Sequence, residues 1–268
     1  MTKFQDMAYQ RPDFEQEVSK ALGLLDQLAK AKDEAAFFEA LQAIDTQSRA
    51  LSTQHTLCSI RHTIDTRDAF YAKENDVWDE VTPRLAEIQV QAARAVLESP
   101  YRDSVARRYG PHLLEKMEVS LKTITPEILP DLVEENKLVS EYERLIASAE
   151  IEFDGKKLNL SGLQPYIEST DREVRRQAYT AHWGWMAQRV DKLDELYDKL
   201  TAVRHRIGKK LGHENFIPVA YARMGRTDWD QQDAKVYRQQ IVDSVVPLAQ
   251  KLAREQLRRT GVTDPKIY

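Results

Sequence analysis

NDVWDEVTPRLAEIQVQAARAVLE, residues Asn75 to Glu98, decides the fold class. Trp78, Val81, Leu85, Ile88, Ala92 and Ala95 recur in it at spacings of 3, 4, 3, 4 and 3, the signature of one buried stripe on an α-helix. Pro83 interrupts the run, so either the helix kinks there or Thr82 caps a restarted helix with Pro83 in its first turn. The same periodicity predicts helices over Pro12 to Lys30, Asp33 to about Thr46, Gln47 to Tyr71, Tyr101 to Tyr109 and His112 to Leu121. It predicts a further helix from Thr125 through Leu138, Tyr142, Leu145 and Ala149. The acidic patches of these helices are expected to be solvated faces.

Beyond Ala149 the pattern changes period. IEFDGKKLNL sets two short alternating arms around Asp154-Gly155, a strong hairpin signal because both turn positions tolerate positive φ. A lone hairpin is marginal in water, so it must pack on helices. Asp171 is expected to cap one long helix reaching about Leu211, with Val190, Leu193, Leu196 or Tyr197, Leu200, Val203 and Ile207 facing inward and Gly212 as its stop. A last helix is expected from about Asp230 to Thr260. The expected architecture is all-α with one small β-hairpin near 150–160.

Composition agrees. Glycine (9) and proline (10) are scarce in 268 residues, where average usage gives about 19 and about 13, so long helices are favoured over many short strands. The formal net charge of −4 disfavours a nucleic-acid module, which needs a clustered basic face. No apolar run is long enough to cross a bilayer, and MTKFQDMAYQRPDFEQ lacks a signal-peptide core. The single cysteine, Cys58, cannot form an internal disulfide and fits a cytoplasmic location. Its apolar neighbours Leu57 and Ile60 favour a buried structural thiol over a nucleophile.

The residues alone offer little chemistry. The six histidines contain no pair four apart of the kind that holds zinc on a helix; His55 and His62 lie seven apart, about 10 Å. His213-Glu214 begins like a zinc motif but continues without the second histidine. Neither a glycine-rich phosphate loop nor a G-x-S-x-G elbow is present. The densest unusual segment is Tyr221-Ala222-Arg223-Met224-Gly225-Arg226-Thr227-Asp228-Trp229. Tyr221, Arg223 and Arg226 suit a carboxylate or a peptide main chain; alternatively the arginines pair with acidic helices while Tyr221 and Trp229 pack. His182-Trp183-Gly184-Trp185 is either an aromatic ligand shelf or, more simply, helix packing.

At the hairpin and the helices after it, the chain resembles the oligoendopeptidase F branch of the thimet oligopeptidase family of zinc metallopeptidases. The likeness rests on Ile146-Ala147-Ser148-Ala149 leading into IEFDGKKLNLSGLQPYIES, on DREVRRQAY from Asp171 to Tyr179, and on LDELYDKL from Leu193 to Leu200. It continues through KLGHENF from Lys210 to Phe216 and YARMGRTD from Tyr221 to Asp228. It covers roughly residues 75 to 268, and the preceding helices weakly.

The resemblance implies half of a helical clamshell: an amino-terminal helical region over 1–110, a subdomain with the hairpin over 111–182, and from 183 to 268 the start of a peptidase domain that stops before the H-E-x-x-H zinc motif. It implies that zinc, the general base and the oligopeptide chemistry belong to a carboxyl-terminal catalytic half. No catalytic or metal-binding residue then falls in this chain, and Tyr221, Arg223 and Arg226 face the substrate channel. Apolar surface left by the missing half would favour self-association. The competing expectation is a non-catalytic helical peptide-binding or interaction module.

Overall fold

The computed structural model describes residues 3–262. In chain order the helices are α1 (Phe14–Ala29), α2 (Glu34–Ile64), α3 (Ala69–Glu98), α4 (Arg102–Tyr109), α5 (Pro111–Ser120) and α6 (Leu129–Ala147). Strands β1 (Ile151–Phe153) and β2 (Lys156–Leu158) come next. The chain then continues as α7 (Gln164–Ile167), α8 (Arg172–Ala187), α9 (Val190–Lys210), α10 (Ile217–Arg223), α11 (Gln231–Gln240) and α12 (Val246–Thr260). Of the described residues, those in Met1–Ser148 and Asp191–Thr227 form one compact unit, and those in Ala149–Val190 and Asp228–Tyr268 a second. Among them no helix is long and apolar enough to cross a membrane.

Aspartates start several of the helices. The side chains of Asp13, Asp33, Asp68 and Asp171 each accept a bond from a first-turn amide, satisfying donors that the helix itself leaves unpaired. Asp68 explains one boundary that periodicity misplaces. Tyr71 belongs to α3, because the break falls at Asp65 to Asp68 and the Asp68 carboxylate accepts from the amides of Phe70 and Tyr71. The expected break between Thr46 and Gln47 does not occur. Gln47 is buried inside α2 and its amide donates to the Glu17 carbonyl oxygen at 2.8 Å, so tertiary packing carries the helix through.

The helix of the deciding stretch is continuous across Pro83. Proline there removes the donor for the Asp79 carbonyl, and Asn136 of α6 replaces it, donating to that oxygen at 3.0 Å and to the Thr82 hydroxyl at 3.2 Å. The rest of the α3–α6 seam is polar as well. Ser140 donates to the Asp79 carboxylate at 2.6 Å, Lys137 pairs with Glu80 and Arg144 with Asp76.

Two apolar clusters hold the first unit. Leu28, Phe37, Ala40, Val96, Val105 and Leu114 join α1 to α5. Ile128, Leu132, Leu138, Leu196, Val203, Ile207 and Val219 join α6, α9 and α10. Full burial of each large side chain contributes about 1.5–3 kcal/mol. On α9 the inward position is Leu196 and not Tyr197, which is exposed; Val190 is exposed too, and so is Tyr142 on α6.

In the second unit the hairpin forms as expected. Ile151 faces Leu158 and Phe153 faces Lys156, and Asp154 (φ 53°) and Gly155 (φ 68°) both take the left-handed conformation of a two-residue turn. Phe153 packs edge-on to Tyr166 of α7 at 4.9 Å, supplying the helical support that a hairpin needs. The long helix expected from Asp171 to Leu211 is instead two, α8 and α9, separated at Gln188 and Arg189, where Arg189 turns its guanidinium onto the Trp185 ring at 4.0 Å. The last helix is α11 and α12 joined by a π-helical turn, Ile241–Val245; Pro247 removes an amide donor just past that turn.

Candidate functional site

The segment with Tyr221, Arg223 and Arg226 is mounted on α10 and the turn after it. Its placement starts at Gly208 of α9, where an added Cβ would lie 2.7 Å from the Asn215 carbonyl oxygen. Only glycine lets the chain after α9 fold back so closely, and that return delivers Phe216 and α10.

Arg223 is then fixed by an ionic lattice. Asp131 and Glu135 lie one turn apart on α6 and both are buried, at 4% and 7% exposure. This corrects the expectation that acidic residues of these helices form solvated faces: the two carboxylates point inward, and basic residues of α9 and α10 meet them. Glu135 accepts from Arg204 Nε at 2.7 Å and from Arg223 Nη1 at 2.8 Å. Asp131 accepts from Arg206 Nε at 2.6 Å and from Lys210 Nζ at 2.7 Å, and Arg206 also bonds Glu134. Burial works against the Asp131 charge, but the bonds from Arg206 and Lys210 outweigh it and hold its carboxyl below the usual range. The Phe216 ring lies 5.1 Å from the Arg223 guanidinium and 5.9 Å from that of Arg204.

Arg223 therefore does pair with an acidic helix, as the simpler sequence reading expects of it. Arg226 stacks over the Tyr221 ring at 4.2 Å. The three residues are thus close in chain and space, with one guanidinium anchored through Glu135 and the other through an aromatic face. A guanidinium carries five N–H groups, so an arginine tied to one carboxylate oxygen retains donors for a second acceptor. Sequence reasoning missed Asp131, Glu135, Arg204, Arg206 and Lys210. The available signal was the four-residue spacing of Asp131 to Glu135 and of Arg206 to Lys210.

No group of three histidine, cysteine, aspartate or glutamate side chains positioned for a metal occurs among the described residues. The buried carboxylates Asp131 and Glu135 are already paired with arginine and lysine. His55 lies against Trp78 at 4.9 Å, and His62 is wholly buried with neither ring nitrogen bonded among the described residues. These residues do not fit a zinc site. Cys58 is buried, and burial, then the Glu74 and Asp79 charges, push its thiol up to about 11, which disfavours a thiolate nucleophile. In the aromatic segment Trp183 is exposed while Trp185 is buried beneath Arg189.

Residues 4–124 match the peptidase M3 N-terminal domain, so the family likeness is firm in the early helices where the sequence motifs are weak. No curated protein matches the chain. Three solved structures do. One, assigned as an oligoendopeptidase F, is 40% identical over 100% of this chain and 48% of its own, with a TM-score of 0.95. The second, PZ peptidase A with an inhibitor, is 39% identical over 98% of this chain and 47% of its own, also with a TM-score of 0.95. The third, assigned as an oligoendopeptidase F from Bacillus anthracis, is 37% identical over 98% of this chain and 48% of its own, with a TM-score of 0.94. The chain spans about half the length of these proteins.

Proposed function

We propose, from the match of residues 4–124 to the peptidase M3 N-terminal domain and the likeness of the whole chain to half of an oligoendopeptidase F, that the chain belongs to the M3 peptidase family and forms the amino-terminal portion of a zinc-dependent oligoendopeptidase acting on short peptides. One observation carries the reading: a TM-score of 0.95 at 40% identity over 100% of the chain. In this reading residues 1–110 and 111–182 are helical regions of one channel wall, and residues 183–268 open the peptidase domain. The zinc ligands and the general base belong to a carboxyl-terminal catalytic half, and no step of the chemistry is assigned to residues of this chain. The free, buried Cys58 supports a reducing, cytoplasmic setting.

We assign substrate positioning to Tyr221, Arg223 and Arg226. A guanidinium held by Glu135 and Phe216 is preorganised, so little side-chain entropy is lost when its remaining N–H groups meet a peptide carbonyl or carboxylate. The apolar stripe Val242, Val245, Leu248 and Leu252, exposed along the π-helical turn Ile241–Val245 and the start of α12, is the surface we assign to the catalytic half; uncovered, it favours self-association.

Two experiments test the reading. In the protein with both halves, short peptides should be cleaved and a folded protein left intact; degradation of folded protein would refute the oligopeptidase assignment. Arg226→Ala should raise KM for peptide more than it lowers kcat. Unchanged kinetics with a lowered melting temperature would make this segment purely structural.

A further inference from the structure

Residues 3–13, ahead of α1, lie against α2 and α3, and none of them is itself buried. The side chains they meet are buried almost completely: Glu74 is 4% exposed, Trp78 1% and Cys58 0%. Tyr9 is the central contact. Its hydroxyl donates to Glu74 Oε2 at 2.7 Å, accepts from Trp78 Nε1 at 3.1 Å and is in bonding contact with the Cys58 thiol. Arg11 pairs with Glu74 at 3.3 Å, the Gln10 amide donates to Gln54 Oε1 at 2.8 Å, and Arg61 donates to the Met7 carbonyl oxygen.

This attachment is mostly polar and partly open to water. Hydrogen bonds and exposed ion pairs that water can replace hold a segment weakly. The helices beneath are joined instead by apolar burial, with Leu28, Phe37 and Val96 in one cluster. A segment with few buried apolar contacts opens at a lower free energy than the whole unit unfolds.

We propose that residues 3–12 form a strap that opens as a unit while α1 to α6 stay folded, and that this opening is the step that admits disulfides to Cys58, the only cysteine of the chain. Exchange requires the thiolate, and in the closed state burial, then the Glu74 and Asp79 charges, keep the thiol protonated, so opening comes first. The Cys58 thiolate then attacks one sulfur of the disulfide; a new S–S bond forms to it and the other half leaves as a thiolate. The added group has no room at a wholly buried sulfur, so the modified chain keeps its strap open. The proposal uses neither the Tyr221 segment nor the peptidase reading and stands or falls separately from them.

The test is the rate at which the folded 268-residue chain releases nitrothiobenzoate from dithiobis(nitrobenzoate). At low urea the rate should be nearly independent of urea, because opening the strap exposes little surface, and the opening constant should exceed the global unfolding constant at least about ten-fold. Tyr9→Phe removes the hydroxyl's bonds and should label about ten-fold faster. Gly208→Ala, outside the contacts of the strap, should lower the urea midpoint and leave the labelling rate unchanged. After labelling, the amides of residues 3–12 should lose their protection from hydrogen exchange. A urea slope equal to that of global unfolding, acceleration by Gly208→Ala, no acceleration by Tyr9→Phe, or a strap still protected after labelling would overturn the proposal.

Discussion

Removing the Asn136 amide tests how a proline survives inside α3. Asn136 supplies two bonds, to the Asp79 carbonyl at 3.0 Å and to the Thr82 hydroxyl at 3.2 Å, and the first replaces the donor that Pro83 lacks. Asn136→Ala deletes both and leaves a half-buried carbonyl without a donor, a cost of about 2 kcal/mol. In a Pro83→Ala background the new amide of residue 83 donates to the Asp79 carbonyl, so Asn136→Ala should then cost only about 1 kcal/mol. The difference, about 1 kcal/mol, is the coupling energy of the pair. It is measured from urea midpoints of the four proteins followed by far-UV circular dichroism, with the slopes checked for equality. Equal costs of Asn136→Ala in both backgrounds would refute the reasoning.

Three further expectations follow from the same packing. Glu135→Ala strips a carboxylate from Arg204 and Arg223 and should cost about 2 kcal/mol by denaturant unfolding, less than a fully buried pair because the arginines are 41% and 28% exposed. Gly208→Ala places a Cβ 2.7 Å from the Asn215 carbonyl and should lower stability by about 2 kcal/mol, with the loss visible as earlier proteolysis near 211–216. His62 is buried among Arg144 and Glu143 of α6 and Asp76 and Asp79 of α3, and burial, then the Arg144 charge, lower its pKa below the ordinary value. Its neutral form is therefore the folded one. The stability it contributes is complete above about pH 6.5, the unfolded value, and is lost as pH falls through the lower folded value, so His62→Phe should flatten stability against pH in that window. A variant with the same acid slope as the parent would contradict this. Asp79 acts in the opposite sense, since burial raises its pKa and favours the protonated form.

Much of this fold was legible because its signals are local. A period of 3.6 residues, an aspartate before a helix and Asp-Gly between alternating arms each act within a few residues, and the hairpin register and the Asp171 cap follow directly. What was not legible depends on partners far along the chain. Continuity through Pro83 requires Asn136, and continuity at Gln47 requires Glu17. The inward turn of Asp131 and Glu135 depends on cations more than sixty residues away, so a sequence window sees only an acidic helix face. The candidate site was legible in part. The Tyr221 to Arg226 cluster stands out by composition, but its anchoring by Glu135 is a tertiary fact.

The central claim is that this chain supplies part of an oligopeptidase and that the metal chemistry resides in another half. The most direct measurement is hydrolysis of a short quenched-fluorescence peptide by the 268-residue chain alone and by a protein of the full length of the oligoendopeptidase F relatives. Cleavage by the longer protein only, abolished by chelation and restored by zinc, is the predicted result. Cleavage by the 268 residues alone, or activity indifferent to chelation, would contradict the account.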